Sequence, residues 1–535
     1  MRAPQEPLDT SSYAVPDVGP GIASDIAPGI APDFAPDLAT WAAFLLMCLG
    51  MFMAILDIQV VATSLPTIQQ ALGISQDAMS WIQTAYLIAE VIAIPLTGLL
   101  TRALTLRWLF AGGVGVFTAA SIGCAFSQDF ATLLVFRVIQ GFSGGVLIPA
   151  VFSAAFLLFP ARLYTAAKAI GGVVAVFAPT IGPVVGGYIT ETWSWPWLFL
   201  INVIPGLIAA TATPFLLPRH AAKLGELRQL DLGTLVVMAL ALASLEIGLK
   251  QAPQRGWLSL SCAGLLLASV AGLAVFIWRT ARAEHPVLRL EALKRRSFAV
   301  TCALSFCLGV GLFGSVYLMP VFLGFVRRHD AFEIGTIMLV TGVAQLAAAP
   351  VAAILEKQIG PLRLTAVGFA LFALGLGLSY FEPRTADFDE MFWPQIVRGV
   401  AIMFCLLPPM HIALGDLPES EVADASALFN LMRNLGGAIG IALIDTVLYG
   451  RSVVYGEAFR IRLLAGDLSA ATAIGIDPTL LLDRASGPPT EAEIAYARPF
   501  VERASLALSV NEAWMLLAFV AIVAALLVPL ARDQS

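Results

Sequence analysis

Charge is what this chain has least of: only 13% of its 535 residues are Asp, Glu, Lys or Arg, about half the share of a water-soluble domain. Histidine is rarer still, and His220, His285, His329 and His411 stand far apart with no HExxH spacing. The six cysteines, Cys48, Cys124, Cys262, Cys302, Cys307 and Cys405, sit inside apolar runs without a CxxC pair. Such scatter argues against a metal site and leaves the thiols as small apolar filling. A glycine-rich loop of the kind that cradles phosphates is also missing, so nothing calls for ATP or another cofactor. The formal net charge of −6 lends nucleic acid binding no support. A membrane-embedded enzyme working through Asp57 or Glu90 as acid or base is poorly served by these shortages, since it needs convergent His, Ser or metal-ligand clusters.

Apolar residues make up 59% of the chain, and the mean hydropathy is +0.84. They come in long runs, such as WAAFLLMCLGMFMAIL from Trp41 and AWMLLAFVAIVAALLVPL from Ala513. Runs of about 20 residues are what an α-helix needs to cross about 30 Å of hydrocarbon. Inside lipid every backbone polar group must be satisfied within its own segment, so the spans are helices. About fourteen such segments lie between Trp41 and Leu530, which predicts an all-α integral membrane protein with both ends on one side. Residues 1–40 are rich in Pro, Asp and Ala, as in SDIAPGIAPDFAPDLA, and lack the basic start and apolar core of a signal peptide; they are expected to be a disordered tail.

The distribution of cations predicts orientation. Connections on the side of the N-terminus hold Arg102, Arg107, Arg162, Lys168, Arg219, Lys223, Arg228 and the dense segment from Arg279 to Arg296. The short connections of the other set hold only Lys250, Arg255, Arg327, Arg328 and Arg384. Both termini are therefore expected in the cytoplasm. A long loop over 450–507, with six arginines, falls on the outer side, and long loops translocate largely regardless of charge. Within it EAEIAYARPFVERAS has the pattern of a short amphipathic surface helix.

A charge inside a span costs at least about 2.5–3.5 kcal/mol and so marks a pathway or a partner. Asp57 sits deep in the first span, with Ser64 seven residues on along the same face. Glu90 sits mid-span with Tyr86 and Gln83 on successive turns before it, a stripe that resembles a cavity lining. Such acids can load and release protons. Arg137 opens FRVIQGFSGG, and Arg433 lies between Asn430 and Asn434 in LFNLMRNLGGAIG. Static ion pairing, or snorkelling to the interface, is the competing reading for these charges. The run VFAPTIGPVVGGYIT places Gly182, Pro183, Gly186 and Gly187 in one span, either as a close-packing face or as part of a gate. FRVIQGFSGGVLIP around Arg137 also resembles IVRGVAIMFCLLPP around Arg398, the trace of two similar halves or a chance likeness of two apolar helices.

With these residues in view, the chain resembles the fourteen-span drug:proton antiporters of the major facilitator superfamily, the EmrB and QacA type. LDIQVVATSLP resembles the family's acidic first-span motif, FRVIQGFSGG its fourth-span motif, IGPVVGG its fifth-span antiporter motif, WSWPWLFLINVIPG its sixth-span entry and FNLMRNLGGAIG its thirteenth span. Two departures stand out: the second-to-third-span loop has Arg102 where Asp is usual and Thr105 where Gly is usual, and Pro196 replaces the usual Arg. The charge latch attributed to that loop is thereby in doubt.

The resemblance implies a major facilitator fold: a six-helix bundle over 41–217, a linker with two extra spans over 218–297, and a second six-helix bundle over 298–531. It implies a proton-driven exporter of drugs or other small amphipathic toxic compounds, working by alternating access in the cytoplasmic (inner) membrane. A dedicated exporter of one endogenous metabolite, such as a siderophore, is the alternative. Asp57 and Arg137 follow as proton-coupling residues from the resemblance, and Glu90 from its depth. Gln83, Tyr86, Asn430, Arg433 and Asn434 are the expected substrate-cavity residues, and Gly182, Pro183, Gly186 and Gly187 the gating or packing motif. A periplasmic adaptor and an outer-membrane channel are the implied partners.

Overall fold

The computed structural model describes residues 37–219, 221–223, 225, 231–283, 290–414, 419–477 and 491–531. Most of the expected tail, His220, His285 and much of the cationic segment after Arg279 lie outside these residues. Among the described residues every regular element is helical, as the lipid requirement on backbone hydrogen bonds demands.

Fourteen helices carry the crossings. The first six are α1 (Leu38–Thr63), α2 (Trp81–Ala93), α3 (Leu96–Ala125), α4 (Phe130–Leu158), α5 (Ala161–Thr192) and α6 (Val203–Leu216). Next come α7 (Leu232–Arg255) and α8 (Leu260–Arg282). The last six are α9 (Arg296–Val321), α10 (Ala331–Ile359), α11 (Pro361–Ser379), α12 (Phe388–Leu414), α13 (Glu419–Leu464) and α14 (Glu491–Leu527). Among the described residues, thirteen stretches are long and apolar enough to cross a bilayer unaided. The remaining crossing is α2, interrupted at Pro95 and resumed in the first turns of α3. The chain then reverses at Thr105, whose φ of 71° and ψ of 153° break α3 internally. The expectation of an all-α protein with about fourteen spans therefore holds, and the even count returns the chain to the face from which it set out.

Aspartates outside the apolar runs start several helices. Asp37, Asp129 and Asp231 accept from the backbone N–H groups of Thr40, Thr132 and Thr234, and Asp330 forms a reciprocal capping box with Glu333. Glycine then sets how closely the helices approach. In the first bundle a methyl at Gly141 would lie 2.3 Å from the Tyr86 carbonyl oxygen, so α4 rests directly on the α2 backbone. In the second, Gly436 meets the Phe306 backbone at 2.1 Å in the same sense, holding α13 to α9. The pair α7 and α8 lies at the rim: 17% of the α8 window is buried against 78% for α9, so α8 faces lipid while α9 is central. Asp231 and Arg279 pin that pair together at 2.9 Å.

The region 450–507 departs from an irregular loop. α13 runs through Gly450 to Leu464, and α14 begins at Glu491, so helix fills most of it. The stretch read as a separate surface helix is the start of α14. At 46 residues, α13 is about 69 Å long, well beyond the bilayer. Its projecting end carries a small core of Phe459, Ala471, Ile474, Ile476 and Ala504. Four of the six arginines there form ion pairs, Arg451 with Glu512, Arg460 with Glu457, Arg462 with Asp467 and Arg498 with Glu502.

Candidate functional site: a buried charge nest beside the seam

Asp57 is buried on α1 with 1% exposure, and five elements converge on it. Arg137 Nη1 of α4 donates to Asp57 Oδ2. Gln140 Nε2 and Asn202 Nδ2 both donate to Oδ1, at 2.9 and 3.0 Å. Gln140 also donates to Ser121 Oγ of α3 at 2.9 Å and accepts from Arg137 at 2.6 Å. Arg137 Nε donates to the Ile82 carbonyl at 3.0 Å, and its guanidinium lies 4.4 Å from the Tyr86 ring centre. The Gly141, Gly144 and Gly145 ridge of α4 makes this possible, because it lets α2 come close enough to lay Tyr86 under the arginine. A buried ion pair survives only when most of its remaining valences are filled; glutamine, asparagine and a backbone carbonyl fill all but Arg137 Nη2, which has no hydrogen-bond partner among the described residues.

The second cluster lies where the two bundles meet. Glu90 is buried at 1% exposure, and Arg433 and Asn434 of α13, which packs against α2, lie near it across the boundary. One Glu90 carboxyl oxygen, Oε2, has no hydrogen-bond partner among the described residues. Gln83 Nε2 donates to the Ile58 carbonyl at 3.4 Å, and its Oε1 is likewise unpartnered among them. Asn430 Nδ2 donates within its own helix to the Ser426 carbonyl at 2.9 Å.

The glycine-proline motif of α5 has two neighbours. Toward α1, a methyl at Gly182 would meet Gln59 at 2.4 Å and one at Gly186 would meet the Val60 carbonyl oxygen at 2.6 Å. Ser64 and Thr190 hydroxyls, 2.7 Å apart, add a polar tie. Toward the other bundle, Gly187 meets Ala331, and the α10 glycines Gly335 and Gly342 meet Pro183 and Thr180. The Thr180 hydroxyl also donates to the Gly342 carbonyl at 3.1 Å. This double-sided fit makes α5 a rail between α1 and α10.

The structure thus joins Asp57 to Arg137, and sets Glu90 near Arg433 and Asn434. Tyr86 departs from the expected cavity stripe: its ring turns into the first bundle, and its hydroxyl donates to the Ala54 carbonyl at 3.2 Å. Sequence reasoning passed over Asn202 and Ser121, for which an isolated polar residue in an apolar run is a weak signal. It also passed over Asp445 in IALIDTVLYG and Glu246 in ASLEIGLK, both of which the cost of an intramembrane charge flags as strongly as Glu90.

Known proteins share this plan. The sequence pattern of the Major Facilitator Superfamily matches residues 47–441. Over 409 residues the chain is 40% identical to the colistin resistance protein EmrB of Acinetobacter baumannii, covering 76% of this chain and 80% of that protein. It is 30% identical over 412 residues to the multidrug export protein EmrB of Escherichia coli K12, again covering 76% and 80%. Among solved structures, an inward-facing, unoccupied bacterial homologue of the human lysosomal transporter Spinster superposes with a TM-score of 0.60 at 14% identity, covering 93% of this chain and 98% of that one. The Escherichia coli xylose transporter XylE does so with 0.55 at 12%, covering 92% and 97%. Likeness at such identities speaks for the fold alone.

Proposed function

The chain belongs to the major facilitator superfamily, and from that premise we propose that it is a proton-coupled exporter of drugs or other small amphipathic compounds across the inner membrane. Multidrug export is the role for which the Escherichia coli relative is named. The observation that carries the reading is the placement of Glu90 opposite Arg433 and Asn434 at the boundary between bundles, beside an α5–α10 seam along which one bundle can shift against the other.

When Glu90 is ionised, it draws Arg433 and Asn434 across the boundary. In that state the site is set to take a substrate from the cytoplasmic side, and a proton arriving on Glu90 from the outside cancels the attraction, loosens Arg433, Asn434 and Gln83, and favours substrate release. Asp57, held by Arg137, Gln140 and Asn202, is the second acid of the pathway, and Arg137 tunes its proton release as the bundle moves. The cation distribution supports cytoplasmic termini, which puts the projecting ends of α13 and α14 on the outer side. There they are placed to receive an adaptor leading to an outer-membrane channel. No cofactor enters the cycle.

The test is substrate uptake into inverted vesicles under an imposed pH gradient, at matched protein levels. Asp57→Asn and Glu90→Gln are expected to lose gradient-driven uptake while retaining substrate binding. Unchanged gradient-driven uptake in both variants overturns the proton pathway, and absence of any drug transport by the parent overturns export.

A further inference from the structure

Asp445 of α13 is 3% exposed, and the cycle above makes no use of it. Its Oδ1 accepts from the Tyr317 hydroxyl of α9 at 2.7 Å, and its Oδ2 accepts from the Ser80 hydroxyl. Tyr317 and Asp445 belong to the second bundle, whereas Ser80 immediately precedes α2 in the first. The carboxylate therefore ties the two bundles across their boundary, at the end opposite the chain termini. Hydrogen bonds to an ionised acceptor are roughly twice as strong as neutral ones, so this tie depends on the charge of Asp445.

An open cleft lies one helical turn from this tie. This cleft of about 700 Å³ opens on that end of the molecule, its charged and titratable lining being Glu191, Arg328, His329, Asp330, Tyr449, Glu502 and Arg503. Tyr449 stands one helical turn beyond Asp445 on α13, so both share one face. The other titratable groups around Asp445 are Tyr317 on α9 and Asp77 in the short helix before Ser80, and α7 packs alongside, its Leu249 carbonyl accepting from Thr446 at 3.2 Å. Farther out lies the Arg451–Glu512 pair.

We propose that Asp445 is a proton-binding site on the extracytoplasmic side of the bundle boundary, filled through the cleft past Tyr449, and that its protonation releases Ser80 and lets the bundles part at that end. The proposal rests on the reading of this chain as a proton-coupled exporter with cytoplasmic termini. In the step itself, a hydronium ion in the cleft gives its proton to a carboxylate oxygen of Asp445, leaving water and a neutral acid. Ser80 then loses its charged acceptor. The outer end opens only once a proton has arrived from the outside, which orders proton entry before substrate release.

The test measures the separation of the two bundles directly, without substrate. Spin labels at Thr67→Cys and Ser452→Cys, one on each bundle, are introduced into full-length protein whose native cysteines are replaced, and reconstituted in lipid nanodiscs. In the parent, the long-distance population is expected to rise about tenfold from mildly alkaline to mildly acidic pH. Asp445→Asn is expected to hold that population high at every pH, and Asp445→Glu to restore the pH dependence. Ser80→Ala keeps the acid, guards against misfolding of the Asn variant, and is expected to open the boundary even at alkaline pH. A parent-like pH response in Asp445→Asn, or a boundary that stays closed in Ser80→Ala, overturns the proposal. Failure of the export reading registers separately, because drug transport by the parent does not enter this measurement and Glu90→Gln leaves Ser80 and Asp445 in place.

Discussion

Gly187 of α5 and Ala331 of α10 stand so close that a methyl group on Gly187 would lie 2.2 Å from the Ala331 carbonyl oxygen. Backbone meets backbone here, so no side chain can swing aside, and overpacking of this kind costs about 1–3 kcal/mol. Gly187→Ala is expected to leave folded protein in the membrane but abolish coupled transport. Gly172→Ala, on the same helix with nothing within 4 Å of the added carbon, is expected to transport normally. Transport assays on the two variants at equal expression decide it; equal activity removes α5 from the moving parts.

Arg137 and Asp57 are both fully buried as side chains. Removing one partner strands the other's charge in a dry interior, at a cost of about 3–5 kcal/mol. Arg137→Ala and Asp57→Asn should therefore each lower the thermal midpoint in detergent, the first leaving a buried carboxylate that can take up a proton and the second a buried guanidinium that stays charged. The double variant Asp57→Asn/Arg137→Gln should recover much of the loss. A double variant whose losses simply add would show that the two side chains do not depend on each other.

Thr105 adopts φ 71° and ψ 153°, a region essentially reserved for glycine and strained by about 1–3 kcal/mol for other residues. The strain is set by position, because the chain must reverse there between the second and third spans. Thr105→Gly is expected to raise the thermal midpoint, and Thr105→Val to leave it no higher. A lower midpoint for the glycine variant would mean that the threonine side chain contributes more than its backbone costs.

Glu382 lies in the connection between α11 and α12, outside the spans, and burial raises its carboxyl from 4.5 to about 7 against the pull of Arg398. The sign follows from which state holds the proton. Between pH 4.5 and about 7 the folded protein keeps it and the unfolded chain does not, so stability falls as pH rises through that window and levels off above it. The difference amounts to roughly 3 kcal/mol. Glu382→Gln is expected to flatten this fall in a pH series of thermal midpoints, and an unaltered slope would assign it to other groups.

By itself, the sequence determined the solvent, the element type and the family. Runs of apolar residues about 20 long have one stable form in lipid, and both charge scarcity and the motifs at Asp57, Arg137 and Gly182–Gly187 are local features that survive without a fold. Even the second span, too short as α2 alone, was readable because Pro95 merely interrupts its hydropathy. Partnership was decided only in three dimensions. Whether Arg137 pairs with Asp57 or snorkels depends on whether α1 and α4 adjoin, and that follows from glycine contacts spread over α2, α4 and α5. Tyr86 shares a helix face with Gln83 and Glu90, yet the width of the Gly141–Gly144 groove turned it inward. Ser80 and Asp445 are 365 residues apart, and hydropathy carries no term for which of two polar residues in separate spans will meet. Close packing supplies that term, since in lipid the helices are sorted by the fit of small residues against backbone and not by aversion to water.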